Sequence, residues 1–139
     1  MNILNNGYYI AEVLKYDRHD VVTIPVPLYH CFGMVIGVLS AMSHGAMNLF
    51  PSSGFDPQAT LEAVTKEGGS SMLGVPTMFV AMLEEHDKNP TKYKYDRLKK
   101  GVMAGSVCPE PLMRKVHEIM GIDKLSICYG MTETSPVSF

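Results

Sequence analysis

Short apolar runs alternate with helical patterns along the whole chain, and no other feature of the sequence narrows the fold as far. Val21 to Ile24, Ala46 to Phe50, Ser71 to Val75, Lys100 to Ala104 and Leu125 to Tyr129 read as strands. The run from Val21 to Ile24 is continuous and mostly β-branched, which suits a strand covered on both faces. Leu125 to Tyr129 is expected to be a last buried strand, with Val137 to Phe139 beginning one more. Helical patterns separate the runs. Residues 2–16 place Ile3, Ile10, Val13 and Leu14 near one face, and Phe32 to Ser43 predicts a helix buried inside the protein. Asp56 caps a helix opened by Pro57 and stopped by Gly68-Gly69. Pro76 leads into a helix that spaces Phe79, Met82, Leu83 and His86 on one side. A polar loop spans Asp87 to Asp96. Pro109 and Pro111 open a last helix whose buried stripe is Leu112, Met113, Val116, Ile119 and Met120. The alternation predicts an α/β fold: a mostly parallel sheet with helices packed on its faces. No repeat or Pro/Gly/Ser-rich linker divides residues 1–139, which are read as one unit.

Composition excludes several classes. The 139 residues are 46% hydrophobic and 19% charged, with a net charge near −2, an ordinary globular balance. This is no footprint for nucleic acid or for a polybasic membrane contact. The longest apolar stretch, Cys31 to Met42, is broken by Gly33, Gly37 and Ser40 and is shorter than the ~20 residues of a membrane span. Three widely spaced cysteines, Cys31, Cys108 and Cys128, suit neither a disulfide framework nor a structural zinc site. They point to a reducing compartment, and a cytoplasmic protein is expected. Residues 1–6 carry no signal-peptide pattern. The eleven methionines read as core filler and Glu84-Glu85 as a solvated helix face.

In open α/β sheets, ligands gather at the carboxyl ends of the strands. Pro27 to His30, Gly74 to Pro76, Gly105 to Val107 and Gly130 to Thr134 are therefore the candidate site segments. Gly130 would let a ligand approach the backbone. Thr132 and Thr134 offer hydroxyls and N–H groups to phosphate. Glu133 is a hard oxygen ligand suited to Mg²⁺. His30 follows a proline-flanked strand end and could meet a carboxylate, or could be a histidine bonded to a backbone carbonyl. Ser135-Pro136 weighs against a helix after Glu133. Neither a P-loop nor a dinucleotide fingerprint occurs, and no nucleophile elbow.

Pro27-Leu28-Tyr29-His30-Cys31-Phe32-Gly33, Gly74-Val75-Pro76-Thr77-Met78-Phe79 and Tyr129-Gly130-Met131-Thr132-Glu133 together resemble successive motifs of the adenylate-forming (AMP-binding) superfamily. The overall texture is most similar to the fatty-acyl-CoA synthetases. The resemblance implies ATP-dependent activation of a carboxylic acid as acyl-AMP and its transfer to CoA. It implies that Thr132 contacts the α-phosphate, that Glu133 holds Mg²⁺ and that His30 lies near the carboxylate. It places Tyr129 against the adenine with Gly105, Ser106 and Val107 opposite, and Gly130 and Met131 beside the nucleotide. It assigns His30, Met34, Val75 and Gly130 to the acyl pocket. The family's Ser/Thr/Gly-rich phosphate loop is absent, and its ribose aspartate and catalytic lysine would follow Phe139. The chain is thus expected to be an internal fragment of the large N-terminal domain, inactive alone and prone to self-association through a sheet edge and part of the 32–43 helix. A short nucleotide- or acyl-binding or interaction module without catalysis is the alternative reading.

Overall fold

The computed structural model describes residues 2–138. Their centre is a five-stranded sheet in the order β2-β1-β3-β4-β5, parallel throughout. Its strands are β1 (Val21–Thr23), β2 (Met47–Leu49), β3 (Ser71–Gly74), β4 (Lys100–Ala104) and β5 (Lys124–Cys128). The helices are α1 (Asn2–Leu14), a π-helix (Phe32–Leu39) running into α2 (Ser40–Ser43), α3 (Pro57–Glu67), α4 (Pro76–Lys88) and α5 (Glu110–Met120). The α/β class and the parallel sheet expected from the sequence are both present.

Strand pleating sorts the core into two layers. Side chains alternate across the sheet, so Leu73 and Val102 face one way while Met72 and Met103 face the other. The first face packs on Ile10, Ala11 and Leu14 of α1 and on Phe32 and Ile36 of the π-helix. The second packs on Leu61 and Val64 of α3, Phe79, Met82 and Leu83 of α4, and Val116 and Met120 of α5. Asp56 caps α3 by accepting from the Ala59 N–H at 2.8 Å. Of the predicted α5 stripe, Val116 and Met120 are fully buried, whereas Leu112, Met113 and Ile119 pack on the rim of the cluster.

The structure corrects two expectations here. β5 is an edge strand, not a buried one: Ile127 is 54% exposed. The edges are β2 and β5, while β1, the first strand in the chain, sits between β2 and β3. Glu85 is buried, not solvated. It accepts from the Tyr93 hydroxyl at 2.9 Å and meets Lys88 at 3.3 Å, tying the 89–96 loop to α4. Helical periodicity alone does not show that a tyrosine eight residues on will supply the donor a buried carboxylate requires.

A polar clamp closes the amino-terminal end of the sheet. The Ser70 hydroxyl donates to Asp20 Oδ1 at 2.7 Å and accepts from the Val21 N–H at 2.9 Å. Lys100 Nζ meets Asp20 Oδ2 at 2.7 Å and lies 5.5 Å from the centre of the Tyr16 ring. Burial pushes the Asp20 carboxyl up, but Lys100, Ser70 and the Asp17 N–H outweigh it and hold it below the usual carboxylate range. A carboxyl depressed in the folded state adds stability that is present above its unfolded value of 3.8 and is lost as pH falls through the folded value. Asp20→Asn is expected to destabilise the protein by roughly 1.5–3 kcal/mol at pH 7, the range for hydrogen bonds to charged groups. The deficit should shrink at pH 3 and below. Urea melts of both proteins at the two pH values check this; an equal deficit at both would contradict it.

Candidate active site

The carboxyl ends of β4 and β5, together with the loop after β1, surround two adjoining clefts. The first, of about 340 Å³, is lined by His30, Cys31 and Phe32 on one side and Gly130, Met131, Thr132 and Glu133 on the other, with Ala104, Gly105 and Cys128 beneath. The second, of about 480 Å³, is lined by Gly105, Ser106, Val107 and Cys108 and by Cys128, Tyr129 and Gly130. Gly105, Cys128 and Gly130 belong to both. Segments a hundred residues apart thus meet: Cys31 Sγ lies 3.8 Å from Thr132 Oγ1.

The His30 wall is built by backbone turns. The His30 N–H donates to Pro27 O at 3.3 Å and the Met34 N–H to His30 O at 3.1 Å, which seats the turn on the first coil of the π-helix. The Phe32 N–H donates to His30 Nδ1 at 3.0 Å. An imidazole that accepts at Nδ1 carries its proton on Nε2 when neutral, so the ring's remaining nitrogen is a donor. That nitrogen suits a carboxylate or phosphate oxygen.

The opposite wall is a tight hairpin. Gly130 bridges to Val137 in antiparallel sense, the Met131 N–H donates to Pro136 O at 3.0 Å, and Thr132–Thr134 forms a 3₁₀ turn. The turn's presence departs from the expectation drawn from Ser135-Pro136. That peptide is cis, and the turn ends at Ser135 before the proline bears on it. The Thr134 hydroxyl is engaged inside the hairpin with Met131 and Pro136, so it is no phosphate donor. Thr132 and Glu133 are exposed and line the first cleft. Gly130 has a reason to be glycine besides the approach of a ligand. A Cβ there would lie 2.0 Å from Pro136 O, so the chain's own hairpin demands it.

Met34 and Val75 line neither cleft. Met34 is 43% exposed on the π-helix, and Val75 packs on the first core layer beneath Gly105. Ile36, Cys31 and Cys128 line the first cleft and were not singled out from the sequence. Burial pushes the Cys128 thiol up, with Cys108 adding to the shift. The available signal was adjacency, since Cys31 follows His30 and Cys128 precedes Tyr129. Among the described residues no group of three or more His, Cys, Asp or Glu side chains could hold a metal ion. Among the described residues Glu133 is the one carboxylate lining the first cleft. That donor set fits Mg²⁺ shared with phosphates, which needs only one or two protein carboxylates, and does not fit an all-protein cage.

The chain is 42% identical over 140 residues to a mitochondrial medium-chain acyl-CoA ligase of Danio rerio, covering 99% of this chain and 23% of that protein. It is 36% identical over 138 residues to an acyl-CoA ligase of Ajellomyces capsulatus, again covering 99% of this chain and 23% of the relative. The chain therefore spans about a quarter of the length of these relatives. Its fold matches that of a long-chain-fatty-acid-CoA ligase from Archaeoglobus fulgidus with a TM-score of 0.79 at 18% identity, over 98% of this chain and 28% of that one. The profile of the family described as AMP-binding enzyme matches residues 1–139, and the chain belongs to that family.

Proposed function

We propose that this chain forms part of the nucleotide and acyl site of an AMP-forming acyl-CoA ligase acting on a fatty or related carboxylic acid. The observation that carries this reading is the convergence of His30, Thr132 and Glu133 on one cleft beside Gly105. The names of the relatives supply the reaction class. In the reaction, the carboxylate oxygen attacks the α-phosphorus of ATP and pyrophosphate leaves. The CoA sulfur then attacks the acyl carbon and AMP leaves.

Each residue has a role that follows from its chemistry and place. Tyr129 and the Gly105–Val107 segment offer a flat slot for adenine in the second cleft. Thr132 donates to the α-phosphate, and Glu133 holds Mg²⁺, which supplies charge neutralisation at the phosphates when bound. His30 donates from Nε2 to the carboxylate and orients it for attack. The acyl chain lies along His30 and Gly130. A cytoplasmic address is our reading from the cysteines, although the Danio rerio relative is named mitochondrial. No helix among the described residues is long and apolar enough to cross a membrane.

In the full-length parent enzyme, Thr132→Ala and Glu133→Ala should each lower turnover by about 10²–10³, the usual cost of one lost transition-state contact. Pyrophosphate release measures it; near-wild-type rates in both would refute the assignment. The 139-residue chain alone should bind ATP·Mg²⁺ more weakly than millimolar, about −4 kcal/mol, since among the described residues no lysine or arginine lines either cleft to neutralise the phosphates. Micromolar binding by calorimetry would contradict this. The isolated chain should also self-associate through the open edge of β5, where Ile127 and the neighbouring Tyr9 and Val13 of α1 are exposed. Light scattering over a range of concentrations tests it, and a monomer near 15 kDa throughout would count against it.

A further inference from the structure

Two glycines lie one turn apart on the π-helix, and they are glycine for different reasons. A Cβ at Gly37 would meet Ile24 Cδ1 at 3.0 Å, Ile24 Cγ2 at 3.1 Å and Leu73 Cδ1 at 3.1 Å, all side-chain methyl groups. A Cβ at Gly33 would lie 2.3 Å from Pro27 O, 2.8 Å from Pro27 C and 3.1 Å from Val26 O. Those atoms are backbone and cannot yield without moving the loop. The loop in question is the turn that presents His30. Pro27 O, the atom nearest the absent Cβ, also accepts the His30 N–H.

We propose that the bare Cα of Gly33, seated against the Pro27 carbonyl, is the device that positions His30. It lets the Pro27–His30 turn close onto the helix start. The Phe32 N–H can then reach His30 Nδ1 at 3.0 Å, which keeps the ring proton on Nε2. Gly33 itself lines neither cleft. It acts through the histidine's placement and tautomer. π-Helical segments recur at functional sites, and here the wide coil opens directly behind the cleft wall. The consequence for catalysis rests on the reading of His30 as the group that meets the carboxylate; the consequence for the ring's tautomer does not.

The first measurement is the tautomer of His30 in the ¹⁵N-labelled chain, read from long-range ¹H–¹⁵N spectra at pH 8.5. Wild type should show a pyrrole-type Nε2 and a pyridine-type Nδ1. Gly33→Ala should move both toward the averaged shifts of exchanging tautomers. Gly37→Ala on the same helix should keep the wild-type pattern even where thermal melting shows comparable destabilisation. Should Gly33→Ala fail to fold, Pro27→Gly loosens the same turn from its other side and should give the same averaging. A wild-type pattern in whichever of Gly33→Ala and Pro27→Gly folds overturns the proposal, and so does averaging in Gly37→Ala. In the full-length parent enzyme, Gly33→Ala should lower the rate of adenylation about 10²-fold, as a displacement of about 1 Å can. The KM for ATP should change little, because the adenine slot lies elsewhere. An averaged tautomer with an unchanged rate would leave the positioning intact and overturn the role given to His30. A wild-type tautomer with a reduced rate would do the reverse.

Discussion

Lys100 reaches across the amino-terminal end of the sheet to Asp20, and Ser70 joins the same carboxylate from the strand between them. Each of these residues stands at the start of its strand: Asp20 before β1, Ser70 before β3 and Lys100 as the first residue of β4. The three-way contact therefore sets where three neighbouring parallel strands begin relative to one another. The register agrees, with Val22 opposite Ser71 and Ser71 opposite Lys100. Strands that start together and differ by only a residue or two in length also end close together. The loops after them then emerge at one edge, which is where the clefts form. Removing one partner would leave a largely buried charge without its counterpart, the costly half of such a pair.

At the opposite edge the controlling factor is crowding of backbone on backbone. The two walls of the first cleft are each closed by a glycine that permits an approach no side chain would allow: Gly33 against Pro27 O and Gly130 against Pro136 O. The first wall presents an imidazole and the second a threonine hydroxyl and a carboxylate. Both walls rest on the first core layer, the one through Phe32 and the other through Val137. Chemistry-bearing side chains can thus stand exposed on stiff turns, a combination that suits groups that must meet a charged ligand without first reorganising.

Much of this was legible in the sequence. Period-2 and period-3.6 patterns carry burial information directly, so the strands and helices from Val21 to Met120 follow from residue order and elementary sterics. The helix stop at Gly68 and the starts at Pro57 and Pro76 are local as well. So is the placement of candidate groups after strands, because the carboxyl-end rule needs only chain direction. Less legible were features set by partners distant in sequence. Glu85 is buried because Tyr93 folds back to it, and Thr134 is spent within its own hairpin. β5 has the composition of a buried strand yet lies at an edge, since apolar residues do not reveal how many neighbours a strand will have.

By itself the sequence determined that this is an α/β chain with a parallel sheet, and its strand-end motifs resembled those of the AMP-binding family to which it belongs. Those properties depend on local periodicity, chain direction and short motifs. Only the tertiary structure decided that residues 30 and 132 face one another across a cleft, that the Phe32 N–H reaches His30 Nδ1, and that Met34 and Val75 lie outside the clefts. These depend on which backbone atoms come within a few ångströms once the sheet has closed, and such distances are set by packing between segments rather than within any one of them.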